Sequence, residues 1–181
     1  MSLPRRAEGA LLALGMLVSC VCQNGWYSRG NVVRDACYLV TVPPVVPDSP
    51  PLPRDPVVGF LYDPFTRPTP FRPDVLLDIS NELDTVFELL SCHESQMFEW
   101  LPHNHRLTES VPTDATGRRA LLRQFYESRV TAIADQFREQ LIDQFGPEHG
   151  NTLQHVEAFE ISEYAAPLTD ISREKLFAFA P

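Results

Sequence analysis

The stretch HESQMFEWLPHNH, His93 to His105, gathers three of the chain's five histidines beside Glu94, Glu99 and Trp100. Imidazoles and carboxylates at this density could ligate a metal or exchange protons as general acid and base. Catalytic zinc normally takes three protein ligands around an open position. Pro102 separates His93 from His103 and His105, so no i, i+4 helical relation joins them and their spacing compels no three-histidine site. From its own residue type and place, His93 reads as a buried imidazole satisfied by a backbone carbonyl or by Gln96. Glu94 and Glu99 read as solvated carboxylates, and His149 and His155 as surface or strand residues without evident partners. The chain contains no G-x-S-x-G elbow for a nucleophilic serine. It also lacks G-x-G-x-x-G and G-x-x-x-x-G-K-[ST], so nucleotide binding has no motif to rest on.

The element that must position His93 is a helix predicted to begin near Ser80, with Asp78 or Ser80 as N-cap and Glu82 in its first turn. Its apolar stripe runs Leu83, Val86, Phe87, Leu90, Met97 and Leu101, which turns His93 inward with Gln96 and Trp100 along one line. His103 and His105 fall beyond Pro102, in an expected solvent-facing loop. Before this helix, NVVRDACYLV (31–40) has helical spacing and Pro43-Pro44 stops it. TVPPVVPDSPPLPRDP then forms an extended connector with apolar residues interleaved. VVGFLYD (57–63) and VLLDIS (75–80) read as strands, and their near-continuous apolar runs suit a parallel sheet covered on both faces. One long helix is expected near 114–145, with Leu122, Tyr126, Val130, Ile133, Phe137, Leu141 and Phe145 on one face and Gly146-Pro147 as its stop. HVEAFEIS (155–162) is a late strand or edge segment, and a short helix capped by Thr169 or Asp170 ends the pattern. That order is α/β, without the early strands a doubly wound sheet needs.

The bulk numbers fit a soluble globular protein: 181 residues, 44% hydrophobic and 22% charged. A formal net charge of -9 and a pI near 4.9 argue against a nucleic-acid partner, which would require a basic patch. Eleven of the seventeen prolines lie between Pro43 and Pro73, so that segment is organised differently from the rest. Cys20, Cys22, Cys37 and Cys92 are irregularly spaced, which suits small buried thiols better than a zinc ribbon. Residues 1–26 resemble a leader: MSLPRR is a basic start, and AEGALLALGMLVSCVC is apolar but too short to span a bilayer. Leu17-Val18-Ser19-Cys20 resembles a bacterial lipobox, which would lipidate Cys20 and attach the protein to a membrane. The alternative is that LALGMLVSCV is the remnant of a buried strand in a cytoplasmic protein.

Four blocks in order resemble the LmbE/PIG-L family of zinc-dependent N-deacetylases. His93-Glu94-Ser95-Gln96 followed by FEWLP (98–102) is similar to that family's H-x-S-Q helix. FLYDPFTRPTPFRPDVLLDIS (60–80) resembles its strand, Pro-rich loop and PFRPD–V-DI run. RDACYLVTVPPVVPD (34–48) looks like its helix and exit segment, and HVEAFEISEY (155–164) like its AEAFE–SEY strand. The likeness covers about Ser28 to Phe179. It implies an incomplete Rossmann-like sheet with flanking helices over 27–181, the C-terminal part of a deacetylase domain. It also implies a substrate of the N-acetylglucosamine type, an N-acetylated sugar-like small molecule, with His93 and Gln96 beside its pocket.

In the intact family, zinc polarises the acetamide carbonyl and activates a water, and a carboxylate acts as general base. Those groups come from an H-P-D-D-E-like turn and an H-P-D-H-like turn, and this sequence has neither. Gln23-Asn24-Gly25-Trp26 stands where the second turn belongs, with Gln and Trp at the histidine positions. The expectation is therefore a chain with no catalytic residue and no metal ligand of its own. Its cofactor, zinc, belongs to the intact family, so that the chain either works with a missing N-terminal half or serves as a catalytically inactive binding or structural module. Half an α/β sheet leaves a strand edge and an apolar helix face uncovered, which predicts self-association of the purified chain. Sedimentation should show oligomers or aggregates; a monodisperse monomer that melts cooperatively would contradict the expectation.

Overall fold

The computed structural model describes residues 36–43, 48–67, 69–163 and 165–177. The signal-like segment, the lipobox at Cys20 and the Gln23–Trp26 stretch all lie outside these residues. The described chain is mixed α/β and divides into two compact units, one of residues 77–157 and one of residues 36–76 with 158–177. The division falls within strand β2 (Val75–Asp78), between Leu76 and Leu77. It also falls within strand β3 (Val156–Ile161), between Glu157 and Ala158.

In the unit of residues 36–76 and 158–177, the sheet runs in the order β1-β3-β2, with β1 at Gly59–Leu61. β1 pairs antiparallel with β3, placing Gly59 opposite Ile161 and Leu61 opposite Phe159. On the other side of β3, the Asp74 N–H donates to the Phe159 carbonyl at 2.8 Å. The parallel arrangement expected from the apolar runs is thus not what these strands adopt. Coverage on both faces selects apolar residues whatever the strand direction. β3 is the middle strand rather than an edge, which accounts for four consecutive buried residues at its start. Residues 36–39 are helical, and the connector after them returns on itself through a Leu52 N–H to Val40 carbonyl bond of 2.8 Å. The closing helix of this unit, Asp170–Leu176, carries a reciprocal capping box between Thr169 and Ser172.

The unit of residues 77–157 is helical, and the expected elements are present but divided. Helix α1 spans Leu83–Ser91 and buries Leu83, Val86, Phe87 and Leu90. Asp78 does not cap it; its carboxylate accepts the Ser80 N–H at 2.9 Å and shapes the turn before the helix. α1 ends at Cys92, and a π-helical segment, Ser95–Trp100, continues into helix α2, Leu101–Asn104. The predicted long helix is α3, Ala115–Gln136, then a break at Phe137, then α4, Arg138–Phe145. At about 1.5 Å per residue α3 is about 33 Å long, not the full length of the apolar stripe. Asp114 caps α3 by accepting the Gly117 N–H at 2.9 Å. Gly146 ends α4 with a φ of 82°, and Pro147 opens helix α5, Pro147–Thr152, rather than merely stopping its predecessor. Every predicted stripe residue from Leu122 to Leu141 is buried; Phe145 is half-buried.

Arg138, the first residue of α4, joins α4 to α5. Its Nη1 donates to the carbonyls of Gly150 and Leu153 at 2.8 and 2.6 Å, tying the start of α4 to the end of α5. The two helices touch backbone to backbone: a Cβ on Gly150 would sit 2.5 Å from the Leu141 oxygen and 2.6 Å from the Ile142 Cα. Gly150→Ala is therefore expected to destabilise the protein by about 1–3 kcal/mol, the cost of overpacking a close contact. Urea denaturation checks this, with the exposed Glu148→Ala expected to stay within about 0.5 kcal/mol of the parent.

Candidate functional site

The histidine-rich stretch is not one amphipathic helix. His93 follows the end of α1, and its carbonyl accepts the N–H groups of both Gln96 and Met97, at 3.1 and 2.9 Å. The Leu101 N–H reaches back five residues to the Gln96 carbonyl, the wide spacing of a π-turn. Met97 and Phe98 are both buried, where the apolar stripe read from the sequence included only Met97. His93 and Gln96 are half-buried, and neither side chain makes a hydrogen bond among the described residues. Trp100, expected to share their inward line, is 42% exposed instead.

His103 lies within α2 rather than in a loop, because Pro102 sits in the first turn, where its missing N–H costs nothing. It faces solvent as expected, and so does His105, whose ring meets that of Phe125 edge-on at 6.2 Å. The turn after α2 is closed by the Leu107 N–H on the Pro102 carbonyl and the Arg106 N–H on the His103 carbonyl, with Arg106 at a φ of 59°. His149, expected to lack a partner, lies 3.8 Å from the Asp78 carboxylate and packs on the Phe145 ring. Glu94 is largely solvated but pairs with Arg118 at 2.8 Å. The free thiols differ from the buried ones expected: Cys37 is half-buried and Cys92 exposed. Among the described residues, no three His, Cys, Asp or Glu side chains group as a metal-ligand set, so the zinc implied by the resemblance has no donor cluster there.

A cavity of about 430 Å³ opens between α1, the π-helical segment and the start of α3. Phe87, Phe98 and Leu122 form its apolar lining, with Ser91, Thr113, Arg118 and Arg119 as the polar groups. Neither His93 nor Gln96 lines it. Arg118 lies over the Phe98 ring, 4.8 Å from its centroid, and Arg119 over Phe87 at 5.8 Å.

The sequence reasoning missed Glu157. This carboxylate is buried in β3 and accepts the Tyr126 hydroxyl of α3 at 2.6 Å. Burial raises its pKa above the usual glutamate value, against the opposing pull of the Tyr126 hydrogen bond and the Arg129 charge. Burial first, then the neighbouring carboxylate, raises the Tyr126 pKa well above its ordinary value, so the phenol stays a donor. An acidic residue inside the apolar run HVEAFEI was the available signal, since a strand covered on both faces can hold a carboxylate only with a donor opposite. Neither member of the pair lines the cavity.

No protein-family model, curated protein or solved structure matches the chain.

The Tyr126–Glu157 pair makes stability depend on pH with a definite sign. The folded carboxyl holds its proton more tightly than the unfolded one. Its contribution is therefore fully present below the ordinary glutamate range and is lost as pH rises through the raised value. Urea titrations between about pH 4 and pH 8 should show the parent losing stability relative to Glu157→Gln as pH rises. Tyr126→Phe, which leaves the carboxylate without its donor, should cost about 1–3 kcal/mol near neutral pH.

Proposed function

We propose that the chain carries the C-terminal blocks of a LmbE/PIG-L-type N-deacetylase fold, a Rossmann-like domain. In this proposal it contributes a surface that positions an N-acetylated sugar-like molecule rather than the groups that hydrolyse it. His93 and Gln96 are the positioning residues. One observation carries the proposal: residues quoted for the resemblance from two distant blocks bond to one another. Asp74 of PFRPD donates its N–H to the Phe159 carbonyl, and its Oδ2 accepts the Ile161 N–H at 2.7 Å. The Arg72 N–H donates to the Glu160 carboxylate at 3.1 Å. The π-helical turn that presents Gln96 adds support, since such turns recur at functional sites.

A second reading, a relative without hydrolytic activity that acts as a binding module, is favoured by Gln23 and Trp26, which stand where the family's histidines belong. Both share one expectation for the purified chain: no stoichiometric zinc, and no release of acetate from N-acetylglucosamine. Zinc with turnover would overturn it. The two part over binding. If the proposal holds, N-acetylglucosamine shifts the resonances of His93 and Gln96 in an NMR titration, and His93→Ala or Gln96→Ala weakens that binding about tenfold, the worth of one lost hydrogen bond. Absence of any shift at these residues would defeat the sugar-positioning role.

A further inference from the structure

We infer that Pro50-Pro51-Leu52-Pro53-Arg54 is a recognition segment for a second protein, a small domain whose groove of tyrosine and tryptophan rings reads polyproline geometry. The segment belongs to the unit of residues 36–76 and 158–177, so neither His93 nor Gln96 takes part.

Residues 48–55 are all exposed, and among them Leu52 keeps 48% of its surface in water. Proline chemistry sets their backbone. Pro50, Pro51 and Pro53 each fix φ at about −65°, and Ser49, Pro50 and Leu52 are kept out of the helical region by the proline that follows each. Residues 50–52 accordingly run without turn or bend, between a bend at Ser49 and another at Pro53 and Arg54. Ser49-Pro50 and Leu52-Pro53 are two X-Pro pairs three residues apart, the repeat of a polyproline turn and the spacing of Pro-x-x-Pro ligands.

The fold fastens this segment without consuming the groups a groove would read. The Leu52 N–H donates to the Val40 carbonyl at 2.8 Å, and the Thr41 hydroxyl to the Asp55 carboxylate at 3.1 Å. Just beyond, the Pro56 carbonyl accepts the Ala166 N–H at 3.0 Å. The carbonyls of Pro50, Pro51 and Pro53 accept no hydrogen bond among the described residues, and the Arg54 guanidinium has no ion pair there. Tyr38, Leu39 and Val40 are 56%, 41% and 40% exposed, so apolar surface continues past the Val40–Leu52 bond. Each group left over matches one feature of an aromatic groove. Proline rings and Leu52 pack on the ring faces, the carbonyls accept from tryptophan N–H or tyrosine O–H, and Arg54 pairs with a carboxylate at the rim. A segment ordered in advance also loses little entropy when it docks.

Isothermal titration of the full chain tests the segment with two purified probes: a WW domain that binds Pro-Pro-Leu-Pro peptides and an SH3 domain that binds arginine-flanked Pro-x-x-Pro peptides. A synthetic peptide of residues 48–57 serves as the comparison. At least one probe is expected to bind the chain one to one, and no more weakly than it binds the peptide, because the bonds to Val40 and Ala166 order the segment beforehand. Pro50→Ala with Pro53→Ala should weaken that binding by a factor of about ten or more, and Arg54→Glu alone by about threefold or more. All three positions are exposed, so the far-ultraviolet circular dichroism of both variants should match the parent. Failure of both probes to bind the chain overturns the inference, and co-sedimentation of that chain with phosphatidylcholine vesicles would then give the apolar patch to a membrane. Binding to the peptide but not to the chain overturns it too, as does undiminished affinity in both folded variants.

Discussion

Burying a carboxylate in the middle strand of a sheet is the constraint around which the helical unit is arranged. Glu157 cannot reach water, so the structure must bring a donor to it, and Tyr126 supplies one at 2.6 Å. That hydroxyl fixes more than a distance. For it to meet Glu157, α3 must present Tyr126 inward at a set rotation, which in turn places Leu122 one turn earlier and Val130 one turn later in the core. The same rotation sets the Tyr126 ring against Phe87 of α1 at near right angles, with centroids 6.2 Å apart. A polar bond thereby selects one packing from the several that an apolar stripe alone would allow. Apolar contact is non-directional, whereas the Tyr–Glu bond has one geometry.

Asp74 has a comparable part in the other unit, by different means. Its backbone N–H extends the ladder to β3, its carboxylate accepts the Ile161 N–H, and its carbonyl accepts the Arg173 guanidinium at 2.9 Å. One residue thus serves three backbone or side-chain demands, at a place where proline on one side removes a donor. The proline-rich approach to β2 is consistent with this economy. Pro73 offers no N–H that would need satisfying, so the segment can reach the sheet extended and pair only where Asp74 begins.

How much was legible from residues alone follows from which forces leave a periodic trace. The stripe Leu122 to Leu141 was readable because burial repeats with the helical period, and it persisted through the break at Phe137 because both sides pack on one core. The break itself was invisible for the same reason. Beside it, Arg138 bonds the carbonyls of Gly150 and Leu153, partners that no local pattern announces. The direction of the strands was unreadable too, since VLLD and VEAFEI record coverage and not orientation. The capping residue Thr169 was legible, as one of two neighbouring candidates, because its bond is local, three residues on along the chain. Glu157 was legible only as an anomaly, and the cavity not at all, because its lining comes from separate segments: Phe87 before HESQMFEWLPHNH, Phe98 within it, and the arginines after it.

The histidines of that stretch owe their arrangement to a single inserted residue. An uninterrupted α-helix from α1 onward would have aligned His93, Gln96 and Trp100 along one line. Along the π-helical segment Trp100 is instead exposed while Met97 and Phe98 are buried, and Phe98 is the ring on which Arg118 rests. The turn therefore does two things at once: it leaves His93 and Gln96 half-buried with their polar atoms unspent, and it builds one wall of the cavity beneath the arginines. π-turns are rare because their hydrogen bonds are poorer than those of the α-helix, so one that persists must be held by its surroundings. Here the holding contacts are Met97 and Phe98 in the core and Pro102 buried in the first turn of α2, where an ordinary α-helical residue would offer an N–H to pair. The chemistry of this region thus rests on a backbone irregularity kept in place by apolar burial. Its sites are better sought in what the irregularity exposes, the half-buried amide and imidazole, than in the number of its histidines.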